Sequence, residues 1–146
     1  MLNIKNNKTM KTIDKKTFSL TLPDGWDVLS AEDDEALVYK GSKISDSLSN
    51  PSLNITIRDT DGMSFDEIGQ LMIDEMGVIV APDVTIDGHA YKAFSITEGG
   101  VESLVLLYNR SADGKEVNTN FAIIFFINTT KEDAEALSIV SSIVFK

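Results

Sequence analysis

Apolar and polar residues alternate through Phe18-Ser19-Leu20-Thr21-Leu22, the period of a strand with one face buried. Pro23-Asp24-Gly25 follows with turn chemistry, proline fixing its own φ and glycine supplying a positive one. Trp26 to Leu29 predicts a second strand, Glu32-Asp33-Asp34-Glu35 an acidic turn, and Ala36 to Tyr39 a third strand. Gly41 to Pro51 is rich in serine, asparagine and glycine. It predicts a long loop, the stretch of the domain expected to be disordered. Alternation returns in Leu53 to Ile57, and Asp59-Thr60-Asp61-Gly62 turns the chain toward a helix.

That helix has a start signal. Ser64 and Glu67 have the spacing of a capping box, each side chain serving the other's free backbone N–H. Phe65, Ile68, Leu71, Met72 and Met76 recur at helical spacing, and Gly77 is placed to end the helix. Val84 to Ile86 and a strand from Ala90 to Thr97 flank Asp87-Gly88, a two-residue hairpin signal. Gly99-Gly100 turns into a strand from Val101 to Tyr108, and Asp113-Gly114 into one from Val117 to Ile127. Thr129 and Glu132 repeat the capping-box spacing ahead of Ala134, Leu137 and Val140, and Ile143-Val144-Phe145 closes as a short strand.

Leu104 to Tyr108 and Phe121 to Ile127 are continuously apolar. A strand apolar on both sides must be covered on both, yet short turns join these strands and pair them antiparallel. The expected fold is therefore α+β, a three-layer α/β/α sandwich around a largely antiparallel sheet. Residues 1–16 read as a flexible polar lead-in and 17–146 as a single domain.

This pattern resembles the Mog1/PsbP-like superfamily, which includes the DcrB-type bacterial proteins. The likeness rests on Phe18 to Trp26 as an opening strand with its proline-glycine-tryptophan corner and on the hairpins between Val84 and Ile127. The capped last helix leading into Ser141-Ser142-Ile143-Val144-Phe145 completes it. The resemblance implies a sandwich that works by binding another protein rather than by catalysis. No stretch matches any one partner's motif, so no binding residues carry over.

Charge narrows the partners. The formal net charge is −10. The first sixteen residues are basic, with Lys5, Lys8, Lys11, Lys15 and Lys16 against Asp14, so the remaining body is more acidic still. Such a body repels nucleic acids and anionic membranes and attracts a basic protein surface. A homodimer is a further expectation to test. The longest apolar run is too short to cross a bilayer, and the amino end lacks the apolar core of a signal peptide. As written, the chain reads as cytoplasmic; an exported domain freed of its leader would look the same. With no cysteine, disulfides, thiolate metal sites and thiol nucleophiles are excluded, and no cofactor is expected.

The candidate chemistry is sparse. His89, the single histidine, could serve as a base or metal ligand in a carboxylate pocket, giving a small-ligand or metal-binding domain or a hydrolase as the alternative function. The expected role is a solvated residue at a hairpin end, since no Gly-x-Ser-x-Gly elbow accompanies it. Asp59 to Gly62 suggests a calcium turn, but aligning Gly62 with an EF-hand glycine puts Ile57 and Ile68 at the first and last ligand positions. Glu32 to Glu35 could grip a basic partner, although a solvated loop is the simpler reading. Gly99-Gly100 lacks the lysine and helix of a phosphate cradle. Phe18 and Trp26 are expected in the core, and Met63, Met72 and Met76 as filler beneath the first helix.

Overall fold

The computed structural model describes residues 10–29, 32–98, 100–109 and 120–146. In chain order these form β1 (Lys11–Asp14), β2 (Phe18–Leu22), β3 (Trp26–Val28), β4 (Glu35–Lys40), β5 (Ser52–Asp59), α1 (Phe65–Met76), β6 (Ile79–Ile86), β7 (His89–Glu98), β8 (Val101–Asn109), β9 (Asn120–Ile127), α2 (Ala134–Ser141) and β10 (Val144–Phe145). Seven strands make one sheet in the order β3-β4-β5-β9-β8-β7-β6, and β1-β2-β10 make a smaller one. Neighbours pair antiparallel throughout. The Asp113-Gly114 turn and the expected strand start at Val117 lie outside the described residues.

The two continuously apolar strands are buried on both sides, as their composition requires. Val105, Leu107 and Ile123 pack with Ile68 and Met72 of α1. Their neighbours Leu104, Leu106 and Ile124 face the other way, toward Ile139 and Val140 of α2. The class is α+β. What the sequence pattern does not foresee is that α2 shares its face of the large sheet with the small one. Phe18, Leu20 and Leu22 of β2 are fully buried there beside Trp26.

Three local expectations are corrected. First, Lys11–Asp14, within the expected flexible lead-in, is an edge strand paired with β2, and Lys11 Nζ bridges to Asp27 Oδ1 at 2.8 Å. Second, the 41–51 connection is organised around a 3-10 turn at Ile44–Leu48. Asp46 holds that turn, its Oδ2 accepting from the backbone N–H of Ser42 and Lys43 at 3.0 Å each. Third, Leu71 and Met76 are 46% and 39% exposed, off the buried stripe of Ile68, Gly69 and Met72. Successive helical residues turn by about 100°, which swings Leu71 to the flank when Met72 faces the sheet. The Ser64–Glu67 capping box and the left-handed Gly77 cap form as expected.

The second helix starts four residues later than the Thr129–Glu132 spacing suggests. Its N-cap is Asp133, whose Oδ1 accepts from the N–H groups of Glu135 and Ala136 at 3.0 and 3.1 Å. Thr129 does not cap the helix; its hydroxyl donates to Asp133 Oδ2 at 2.6 Å. A carboxylate accepts more strongly than a hydroxyl, so it takes the cap and the threonine orients it. Burial, the largest single influence on Asp133, pushes its pKa up. Hydrogen bonds from Thr129, Ala136 and Glu135 outweigh burial and leave the carboxyl below its ordinary value. A depressed carboxyl stabilises the fold above its unfolded-state pKa and loses that effect as pH falls through the lower folded value. Asp133→Ala is therefore expected to cost about 1 kcal/mol near neutral pH, with a smaller deficit in acid. Glu132→Ala should cost under about 0.5 kcal/mol. Urea unfolding of both variants checks this, and equal losses would reinstate Glu132 as a capping partner.

Candidate functional site

A groove runs between α2 and β6, a free edge of the large sheet among the described residues. It consists of two adjoining hollows of about 580 Å³ each, which share Leu104 and Lys131. Local sequence dictates its walls. The period-2 pattern of β6 and β7 sends Ala81, Val84 and Ile86 to the α2 side of the sheet. Helical spacing brings Ala134, Leu137, Ser138 and Ser141 along the facing wall. One hollow is chiefly apolar, over Val84, Ile86, Leu104 and Leu137. The other carries Glu102, Lys131 and Glu132 at its rim and Ser95 and Ser103 in its lining. At the start of β6, Ile79 and Val80 stand 67% and 57% exposed.

The edge strand is irregular at its centre. Its register with β7 shifts between Ala81 and Val84, around Pro82 and Asp83. Bulges, prolines and charges are the devices by which free edges are kept from pairing along their whole length. Ladder stretches of three residues remain on either side, at Ile79–Ala81 and Val84–Ile86.

The residues singled out from sequence fall elsewhere. His89 is not the solvated residue expected at a hairpin end. It is half-buried, its Nδ1 lies 3.0 Å from Tyr108 Oη, and its ring meets Tyr108 and Phe145 edge-on. Tyr108 stacks on Phe145 with centroids 4.6 Å apart, tying β8 to the last strand, and His89 brings the β6–β7 hairpin end against both rings. The imidazole thus faces the phenol of Tyr108 and the ring of Phe145, an arrangement that packs and orients it.

Asp59 Oδ1 accepts from Asp61 N at 2.8 Å, closing a polar turn. Ile57 and Ile68, which replace the end ligands of a calcium loop, are buried in opposite cores. No cluster of three metal-ligating side chains occurs among the described residues. In the acidic turn, Asp34 Oδ1 accepts from Thr17 Oγ1 at 3.1 Å and Glu35 Oε2 from Asn54 Nδ2 at 3.0 Å. These carboxylates serve as internal acceptors. Phe18, Trp26 and Met72 are core residues, and Met63 packs partly buried beneath α1. Gly100 takes the positive φ of a turn, whereas Gly99 lies outside the described residues.

Sequence reasoning names none of the groove as a site. Its walls come from β6, β8 and α2, separated by long stretches of chain, so no local spacing announces it. The exposed pair Ile79-Val80 next to Pro82 is the one local clue, because apolar residues beside an edge-blunting proline mark a strand with an open side.

Comparison with known proteins adds little to this geometry. The sequence matches no protein-family model and no curated protein. A crystal structure at 1.50 Å of a protein from Bacteroides thetaiotaomicron VPI-5482 is similar over 88% of this chain, at 15% identity and a TM-score of 0.49. This chain spans 45% of that protein's length. No helix among the described residues is long and apolar enough to cross a membrane.

Proposed function

We propose that this chain is a non-catalytic accessory protein of the Mog1/PsbP-like kind, an α/β/α sandwich that docks a protein partner in the groove between α2 and β6. The observation that carries the reading is the conjunction of an open apolar groove with a free strand edge whose Ile79 and Val80 face solvent. Exposed apolar area beside a groove suits protein docking. Kinship is supported by the antiparallel sheet covered on both faces, by the buried Trp26 after its Pro23–Gly25 turn, and by α2 leading into β10. The non-catalytic reading draws on the setting of His89, whose Nδ1 lies 3.0 Å from Tyr108 Oη within a packed aromatic cluster.

The test is affinity capture from the source cell with the native chain and with Ile79→Asp/Val80→Asp. Both side chains are already exposed, so the variant should fold normally. A defined partner retained by the native chain and reduced at least about tenfold by the variant is the expected result. Capture of the same partner by both would remove the groove from the proposal.

A further inference from the structure

We infer that the partner presents to this groove an extended segment in which apolar side chains alternate with lysine or arginine, added as a short strand to β6. This deepens the docking proposal above and rests on it. The backbone argument comes first. Ile86 and His89 face each other across the two-residue Asp87-Gly88 turn, where both residues have positive φ. Such a closing pair exchanges backbone hydrogen bonds, so the next pair, Thr85 and Ala90, turns its N–H and C=O groups outward. Thr85 thus offers a donor and an acceptor along the free edge, and it lines the groove even though its register places its side chain on the opposite face.

Side chains and charge then select the occupant. A strand added here sends alternate side chains toward Val84, Ile86, Leu104 and Leu137, where apolar groups are buried. Among the lining residues, the exposed acids Glu102 and Glu132 stand against one lysine, Lys131, and the neighbouring edge strand and its turn add the exposed Asp83 and Asp87. Cationic residues between the apolar ones meet that rim, and acidic ones are repelled. The break at Pro82 limits the added strand to a few residues. A second copy is disfavoured twice over, since the same break interrupts β6-to-β6 pairing and each copy carries a net charge of −10.

The test uses the full chain, isotope-labelled for amide spectra. It is titrated with an acetylated and amidated hexapeptide alternating lysine and valine, then with the glutamate–valine counterpart. The expected result is saturable shifts at Val84–Ile86, Leu104 and Leu137 with the lysine peptide alone. Binding should weaken about tenfold in Glu102→Lys/Glu132→Lys, whose altered residues are exposed, and weaken also in about 0.5 M salt. Equal shifts from the glutamate peptide would overturn the inference, as would shifts confined to other strands or binding indifferent to the charge reversals. So would a doubled mass in light scattering with loss of the β6 signals, which would make the occupant a second copy. If a cellular partner depends on Ile79 and Val80 while the lysine peptide leaves β6 untouched, docking stands and this inference falls. If the peptide binds as described but no partner is captured, the docking proposal falls instead.

Discussion

Phe94→Ala is expected to destabilise the fold by about 3–5 kcal/mol and Leu106→Ala by about 2–5 kcal/mol. Urea unfolding at neutral pH is the measurement. The two side chains are fully buried on neighbouring strands but in opposite cores: Phe94 packs beneath α1, whereas Leu106 packs toward α2 and the small sheet. Truncation leaves a cavity that the surrounding structure closes only in part, so transfer and cavity terms add. A whole domain has a margin of only about 5–15 kcal/mol, and either loss removes a large share of it. The paired result matters more than either value. A cost under about 1 kcal/mol at one position would mean that its side of the sheet is open to water, and the two-sided burial described above would be wrong.

Gly41→Ala should cost about 2–3 kcal/mol, through backbone strain and disruption of the neighbouring turn. Gly41 has φ of +143°, and a Cβ there would lie 2.3 Å from Asp46 Oδ2 and 2.5 Å from Asp46 Cβ. Asp46 has little freedom to retreat, because its carboxylate accepts the hydrogen bonds from Ser42 and Lys43 that define the 3-10 turn. Those bonds also hold its pKa below the ordinary value. The companion variant Asp46→Gly removes the obstructing carboxylate together with its Cβ. In that background the added cost of Gly41→Ala should fall to roughly the backbone strain alone, about 1–2 kcal/mol. Thermal unfolding of the two single variants and the double variant measures the coupling, and strict additivity would show that Asp46 is not the obstacle.

Local pattern made much of the fold legible. Asp87-Gly88 announced its hairpin because only residues tolerant of positive φ suit both positions, and Ser64 with Glu67 announced α1 because the capping geometry depends on a fixed spacing. β1 was hidden because Ile13 is its one apolar residue; pairing with β2 and the Lys11–Asp27 bridge hold it, and neither is visible in a lysine-rich stretch. The spacing of Thr129 and Glu132 points to the wrong cap for α2, because Asp133 takes the helix N–H groups and Thr129 bonds to that carboxylate instead. The surroundings of His89 were recoverable in principle. With Glu98 opposite Val101, counting back along the hairpin sets Tyr91 against Tyr108 and makes His89 a diagonal neighbour of that phenol. The groove had no such route, since it depends on where α2 settles across the sheet.

The small sheet has a bearing on how the polypeptide reaches its native state. β2 lies between β1, its neighbour along the chain, and β10, with Ser19 opposite Val144 and Lys146 tied to Asp14. During synthesis, one flank of β2 must therefore wait for nearly all the intervening chain to be made. Contacts so distant in sequence slow the search for the native arrangement, and until they close, one side of Phe18-Ser19 is a template for the wrong strand.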